Sequence, residues 1–112
     1  MEQNEKRYNG WTNYETWATA LWLDNDQARQ HYWRDASSQC REEAPETSQV
    51  RDGFWTMQQA ARFTLADRLK EEVSDGSPLL SEASLYADLL GAALQEVEWQ
   101  EIATHLLENL DD

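Results

Sequence analysis

The stretch TSQVRDGFWTMQQAARFTLADRLKEEV, residues 47–73, decides the fold class. Within it Val50, Phe54, Met57, Ala61, Leu65, Leu69 and Val73 recur at steps of three and four residues. That is the period of a helix with one apolar face, and the two-residue alternation of a half-buried strand is missing. The spacing predicts one long helix from about Thr47 to Val73. Gly53 is its weak point, costing about 1 kcal/mol relative to alanine in a helix interior.

Working outward, Ser74-Asp75-Gly76-Ser77-Pro78 is the clearest break in the chain, because a glycine follows the last apolar turn and a proline stands close behind. Beyond it, Ser81 is the expected cap of a helix carrying Leu85, Tyr86, Leu89, Leu90, Ala93, Leu94 and Val97. A final helix carries Trp99, Ile102, Ala103, Leu106, Leu107 and Leu110. The pattern leaves open whether these two are continuous or separated near Glu96–Glu98. Upstream, a helix of about Asp26 to Glu43 is expected, with Ala28, Tyr32, Ala36 and Cys40 on one face and Pro45 as its stop. Before that, Thr12 and Glu15 have the spacing of a capping box, and Tyr14, Trp17, Ala18, Leu21 and Trp22 fall on one helical face. Residues 1–10 are polar and read as loose until Tyr8. The expected architecture is all-α, a single domain over residues 1–112 built as a bundle of four to five helices.

Charge is distributed unevenly. The chain has 112 residues with 22 acids and 9 bases, for a net charge of −13. All nine bases precede Glu71, where eleven acids leave a balance of only −2, whereas the last 42 residues hold eleven acids and no base. Direct binding to nucleic acid or an anionic membrane depends on Lys and Arg neutralising phosphates, so neither is expected. A basic protein is the favoured partner. Turned at 100° per residue, the last helix places Glu98, Glu101, His105, Glu108 and Asp112 on one side, opposite its apolar arc. Ordinary solvated surfaces intersperse both signs, so this face is a candidate partner-binding surface. Its carboxylates can stand where nucleic-acid phosphates would in a basic groove.

No catalytic centre, metal site or cofactor is expected. His31 and His105 lie on different helices without paired ligands three or four residues away, the four glycines are scattered rather than gathered in a phosphate loop, and Asp24-Asn25-Asp26 lacks the rest of a calcium loop. Cys40 is the only cysteine, so no disulfide forms within the chain and a reducing, cytosolic setting is expected. No run reaches the roughly 20 apolar residues of a membrane span. Six tryptophans supply core area. Trp17 and Trp22 share a face with Leu21 and are expected to pack inward, while Trp33 and Trp55 fit their faces less well and are candidate interface aromatics.

The run Tyr8 to Trp17, with Ala20-Leu21-Trp22-Leu23-Asp24-Asn25 behind it, resembles a family of short uncharacterised proteins of bacteriophages, plasmids and bacterial genomes whose signature is W-T-N-Y-E-T-W. The residues carrying it here are Trp11, Thr12, Tyr14, Glu15, Trp17 and, just beyond, Trp22. A second region of likeness runs from Tyr86-Ala87-Asp88-Leu89-Leu90 to Val97-Glu98-Trp99-Gln100-Glu101-Ile102-Ala103. The resemblance implies a mobile-element setting and no enzymatic activity. By analogy of context and charge, an inhibitor of host defence is expected, of the antirestriction or anti-CRISPR kind, binding a basic nucleic-acid-handling protein such as a CRISPR effector subunit or a restriction enzyme. The alternative is a helical adaptor or assembly protein with a tryptophan-rich binding face, including a homodimer.

Overall fold

The structure is a computed structural model that describes residues 8–77 and 83–111. Among them are six helices: α1 (Tyr14–Leu23), α2 (Gln27–Glu43), α3 (Ser48–Arg51), α4 (Met57–Asp75), α5 (Leu85–Gln95) and α6 (Trp99–Asn109). A 3-10 turn over Ala44–Glu46 joins α2 to α3. The all-α class stands, with the four-residue α3 as the element that the sequence pattern did not separate. None of these helices is long and apolar enough to cross a membrane.

Local chemistry explains most of the boundaries. Asp26 caps α2 by accepting from the Arg29 N–H at 2.8 Å, and Pro45 is the second residue of the 3-10 turn that follows. The long helix expected over residues 47–73 is in fact two. Gly53 has φ +84°, a left-handed conformation that glycine adopts without steric penalty, and the chain turns there. Helix α4 then starts afresh on a capping box: Thr56 Oγ1 accepts from the Gln59 N–H at 3.0 Å, and Gln59 Oε1 accepts from the Thr56 N–H at 2.9 Å. Phe54 and Met57, placed by periodicity on the inner face, are therefore exposed at 78% and 56%.

The break after α4 falls where expected, at Gly76; Pro78 lies outside the described residues. The cap of α5 is Ser84, which accepts from the Ala87 N–H at 3.0 Å; the expected cap, Ser81, lies outside the described residues. Helices α5 and α6 are separate, with the elbow at Glu96–Glu98.

The core is a three-helix junction. Trp33, Ala36 and Cys40 of α2 meet Leu65, Ala66 and Leu69 of α4 and Val97, Trp99, Ile102 and Ala103 at the elbow and along α6. Alanine in all three helices lets their axes approach closely, and Leu65, Leu69 and Ala103 are fully buried. A smaller cluster of Ala44, Ala60 and Ala61 seats Val50 and Trp55 beside it. One expectation changes here. Trp33 is buried at 5% exposure, because the inward stripe of α2 is Trp33-Ala36-Ser37-Cys40 and not the one through Tyr32. It therefore belongs to the core and cannot serve as an interface aromatic. Trp55 is half-buried against Phe63, with ring centroids 4.9 Å apart and edge to face.

Helices α1 and α5 lie outside this junction. The inward positions of α1 are Thr16, Ala20 and Leu23, four and three residues apart, so Leu21 and Trp22 point away at 50% and 61% exposure. The expectation that Trp22 packs inward fails for that reason.

Candidate functional site

The signature residues meet the second region of likeness at the α5–α6 elbow. Asn9 and Gly10 take φ +48° and +91°, positive values at both central positions of a tight turn. Tyr8 and Trp11 then exchange N–H to carbonyl bonds of 2.8 and 2.7 Å. The cap of α1 is Asn13, not Thr12: its Oδ1 accepts from the Thr16 N–H at 2.9 Å and from Thr16 Oγ1 at 2.6 Å. Asn13 Nδ2 donates across the fold to the Glu96 carbonyl at 2.7 Å. Thr16 Oγ1, on a residue with no exposed surface, accepts from the Glu98 N–H at 2.9 Å.

The Thr12 N–H donates to Glu101 Oε1 at 3.2 Å. Asn13 and Thr16 thus use their donor and acceptor atoms to fasten α1 to the joint between α5 and α6. Neither was singled out by the sequence reading, although an asparagine just before a helix with an N–H three residues on is a standard capping signal.

The aromatic members of the signature brace this clasp. Trp11 meets His105 edge to face at 5.1 Å, and Trp17 leans on Tyr8 at 5.1 Å and Tyr14 at 5.7 Å. Glu15 is half-buried, and its carbonyl accepts from Thr19 Oγ1 at 2.8 Å.

The predicted acidic face is only partly assembled. Glu98 and Glu108 are exposed, Glu101 is half-buried and holds Thr12, and Asp112 lies outside the described residues. Bases distant in sequence fold onto this helix. Arg41 of α2 pairs with Asp111 at 2.9 Å and donates to the Leu107 carbonyl at 2.8 Å, and Arg34 donates to the Asn109 carbonyl at 3.4 Å. Both guanidinium groups sit at the C-terminal end of α6, where open carbonyls and the helix dipole favour cations. Arg62 of α4 lines a groove together with Glu98, Glu101 and Glu108. The segregation of charge along the chain is therefore partly undone in space.

A second polar cluster ties α2 to α4. The Tyr32 hydroxyl donates to Glu72 Oε1 at 2.5 Å, and Arg68 donates to Glu72 Oε2 at 2.9 Å and to Gln39 Oε1 at 3.1 Å. The hydrogen bond from Tyr32, followed by that from Arg68, holds the Glu72 carboxyl below its ordinary range. Burial pushes the Cys40 thiol up, which keeps it in the protonated, unreactive form. Among the described residues no three His, Cys, Asp or Glu side chains converge as metal ligands would.

The largest departure from an ordinary folded surface is α5. None of its eleven residues is buried, although the helix is mostly apolar. Leu85, Tyr86 and Leu89 are exposed at 67%, 68% and 61%. Leu94, near its C-terminal end, packs against the main core, and the Asn13–Thr16 clasp holds the joint that follows. The exposed Tyr14, Leu21 and Trp22 add apolar surface on α1.

The model of a family described as a Family of unknown function (DUF7249) matches residues 4–109, and the chain belongs to that family. No curated protein matches the chain, and no solved structure does.

Proposed function

We propose that this member of the family works by binding another protein through the outward stripe of α5, with its negative charge selecting a basic partner. The observation that carries this reading is the exposure of Leu85, Tyr86 and Leu89 on a helix with no buried residue. Anchors at i, i+1 and i+4 on one helix face suit insertion into an apolar groove. The segment from Glu71 onward carries eleven acids and no base, so a groove rimmed by Lys and Arg is complementary and one rimmed by carboxylates is excluded by repulsion.

Such a partner fits a nucleic-acid-handling protein of the cytosol. In the mobile-element setting that the W-T-N-Y-E-T-W resemblance implies, this makes the protein an inhibitor of host defence, of the antirestriction or anti-CRISPR kind. The test is affinity capture from host cells with the wild-type chain and with Leu85→Ser/Leu89→Ser. A basic protein retained by the wild type and lost with the double variant supports the proposal; equal retention by both refutes the α5 surface.

A second reading, nucleic-acid mimicry by α6, is favoured by the exposure of Glu98 and Glu108. It predicts that Glu98→Gln/Glu108→Gln abolishes capture while the α5 variant does not. Binding that survives both pairs of substitutions overturns both readings.

A further inference from the structure

Helices α1, α2 and α6 flank a half-open cavity of about 360 Å³, separate from the α5 surface and bordered by the aromatic residues that brace the clasp. Three indoles form its walls: Trp11, Trp17 and Trp33. Each is already braced by another ring, Trp11 by His105 at 5.1 Å, Trp17 by Tyr8 at 5.1 Å and Trp33 by Tyr32 at 5.0 Å. The walls are therefore preformed, and ordering them adds little to the free energy that a ligand must overcome. The volume is at the lower end for small-molecule sites, about 300–1,000 Å³, which suits one or two fused rings.

Polar residues stand around the cavity: Asp24, Gln30, His31, Arg34, His105 and Asn109. Arg34 directs one N–H to the Asn109 carbonyl, and a guanidinium has five. The lining thus offers a carboxylate acceptor and guanidinium donors together. A ligand edge bearing both a donor and an acceptor matches them. The net charge of −13 works against an anion.

We infer that this cavity binds a neutral, flat heteroaromatic molecule of one or two fused rings with donor and acceptor atoms on its edge, the chemistry of a free nucleobase. Stacking against the half-buried Trp11 and Trp17 supplies the attraction, with Trp33 as the floor, and the polar lining supplies orientation.

The full chain titrated with adenine by calorimetry tests this, with indole as the ring lacking a matched edge and adenosine monophosphate as the anionic counterpart. Adenine is expected to bind saturably with a Kd on the order of 0.1–1 mM, and indole and the monophosphate at least about tenfold more weakly. Ala20→Phe fills the cavity from α1 and is expected to weaken adenine by at least about tenfold. Leu21→Trp acts at the exposed rim without touching the buried core, and weakens adenine in the same direction if Ala20→Phe disturbs folding. No saturable heat with adenine up to about 5 mM, equal affinity for the monophosphate or for indole, or unchanged affinity in a folded cavity-filled variant overturns the inference.

Discussion

Replacing Thr16 by valine tests the clasp most directly, because the shape of the side chain is kept and only its hydroxyl is removed. The hydroxyl accepts from the Glu98 N–H at 2.9 Å and donates to Asn13 Oδ1 at 2.6 Å. In Thr16→Val the Glu98 donor faces a methyl group at a site with no solvent access on the threonine side. A buried donor left without an acceptor costs about 1–3 kcal/mol. Asn13 keeps its bond from the Thr16 N–H, so its loss is smaller, and about 2 kcal/mol is expected in total.

For a chain of 112 residues that lowers the Tm by about 8 °C. Thr16→Ser keeps the hydroxyl and removes one buried methyl, worth about 1 kcal/mol, so it should fall between wild type and valine. Urea unfolding followed by tryptophan fluorescence and far-UV circular dichroism measures the difference. Hydrogen exchange then localises it: the amides of Glu96 to Glu101 should lose protection in Thr16→Val more than those of α2. A valine variant within about 0.5 kcal/mol of wild type, or a serine variant equally destabilised, refutes the account of the clasp.

Three further outcomes follow from the same geometry. Leu65→Ala empties a fully buried position and should lose about 2–5 kcal/mol, enough to unfold much of the population at 37 °C in a thermal melt. Arg41→Met removes the pair with Asp111, whose side chains are 44% and 69% exposed; the loss should stay below about 1 kcal/mol and shrink further in high salt. The Glu72 carboxyl is held below its ordinary range by Tyr32 and then Arg68, so its stabilising contribution is present above the unfolded pKa, about 4.3, and fades as pH falls through the lower folded value. Urea midpoints compared at neutral and acid pH should therefore drop less in Glu72→Gln than in wild type, by a small margin because Glu72 is 39% exposed.

Much of the secondary structure was legible because its causes are local. Asp26 as a cap, Pro45 as a stop and the Gly76 break act through neighbours within a few residues. The division of residues 47–73 was missed, although its signal stood in Thr56 and Gln59: a capping box over four residues outweighs a continuous apolar period whose early members are an exposed phenylalanine and an exposed methionine. The candidate sites were less so. The acidic side of α6 follows from its own helical period, but Arg34, Arg41 and Arg62, which temper it, reach it from 36 to 75 residues away in the chain.

By itself the sequence determined the all-α class and the sign and location of the charge, because helical period, caps and ionisable groups are properties of short segments. It also marked Trp11 to Trp17 as a signature, without its role. Tertiary structure alone decided which aromatics are buried: one residue of rotation on α2 exchanges Tyr32 for Trp33, about 100° around the helix, and only the packing of α4 and α6 selects between them. It likewise turned Asn13 and Thr16 into a clasp, since the Glu96 carbonyl and the Glu98 N–H they hold are 82 to 83 residues distant.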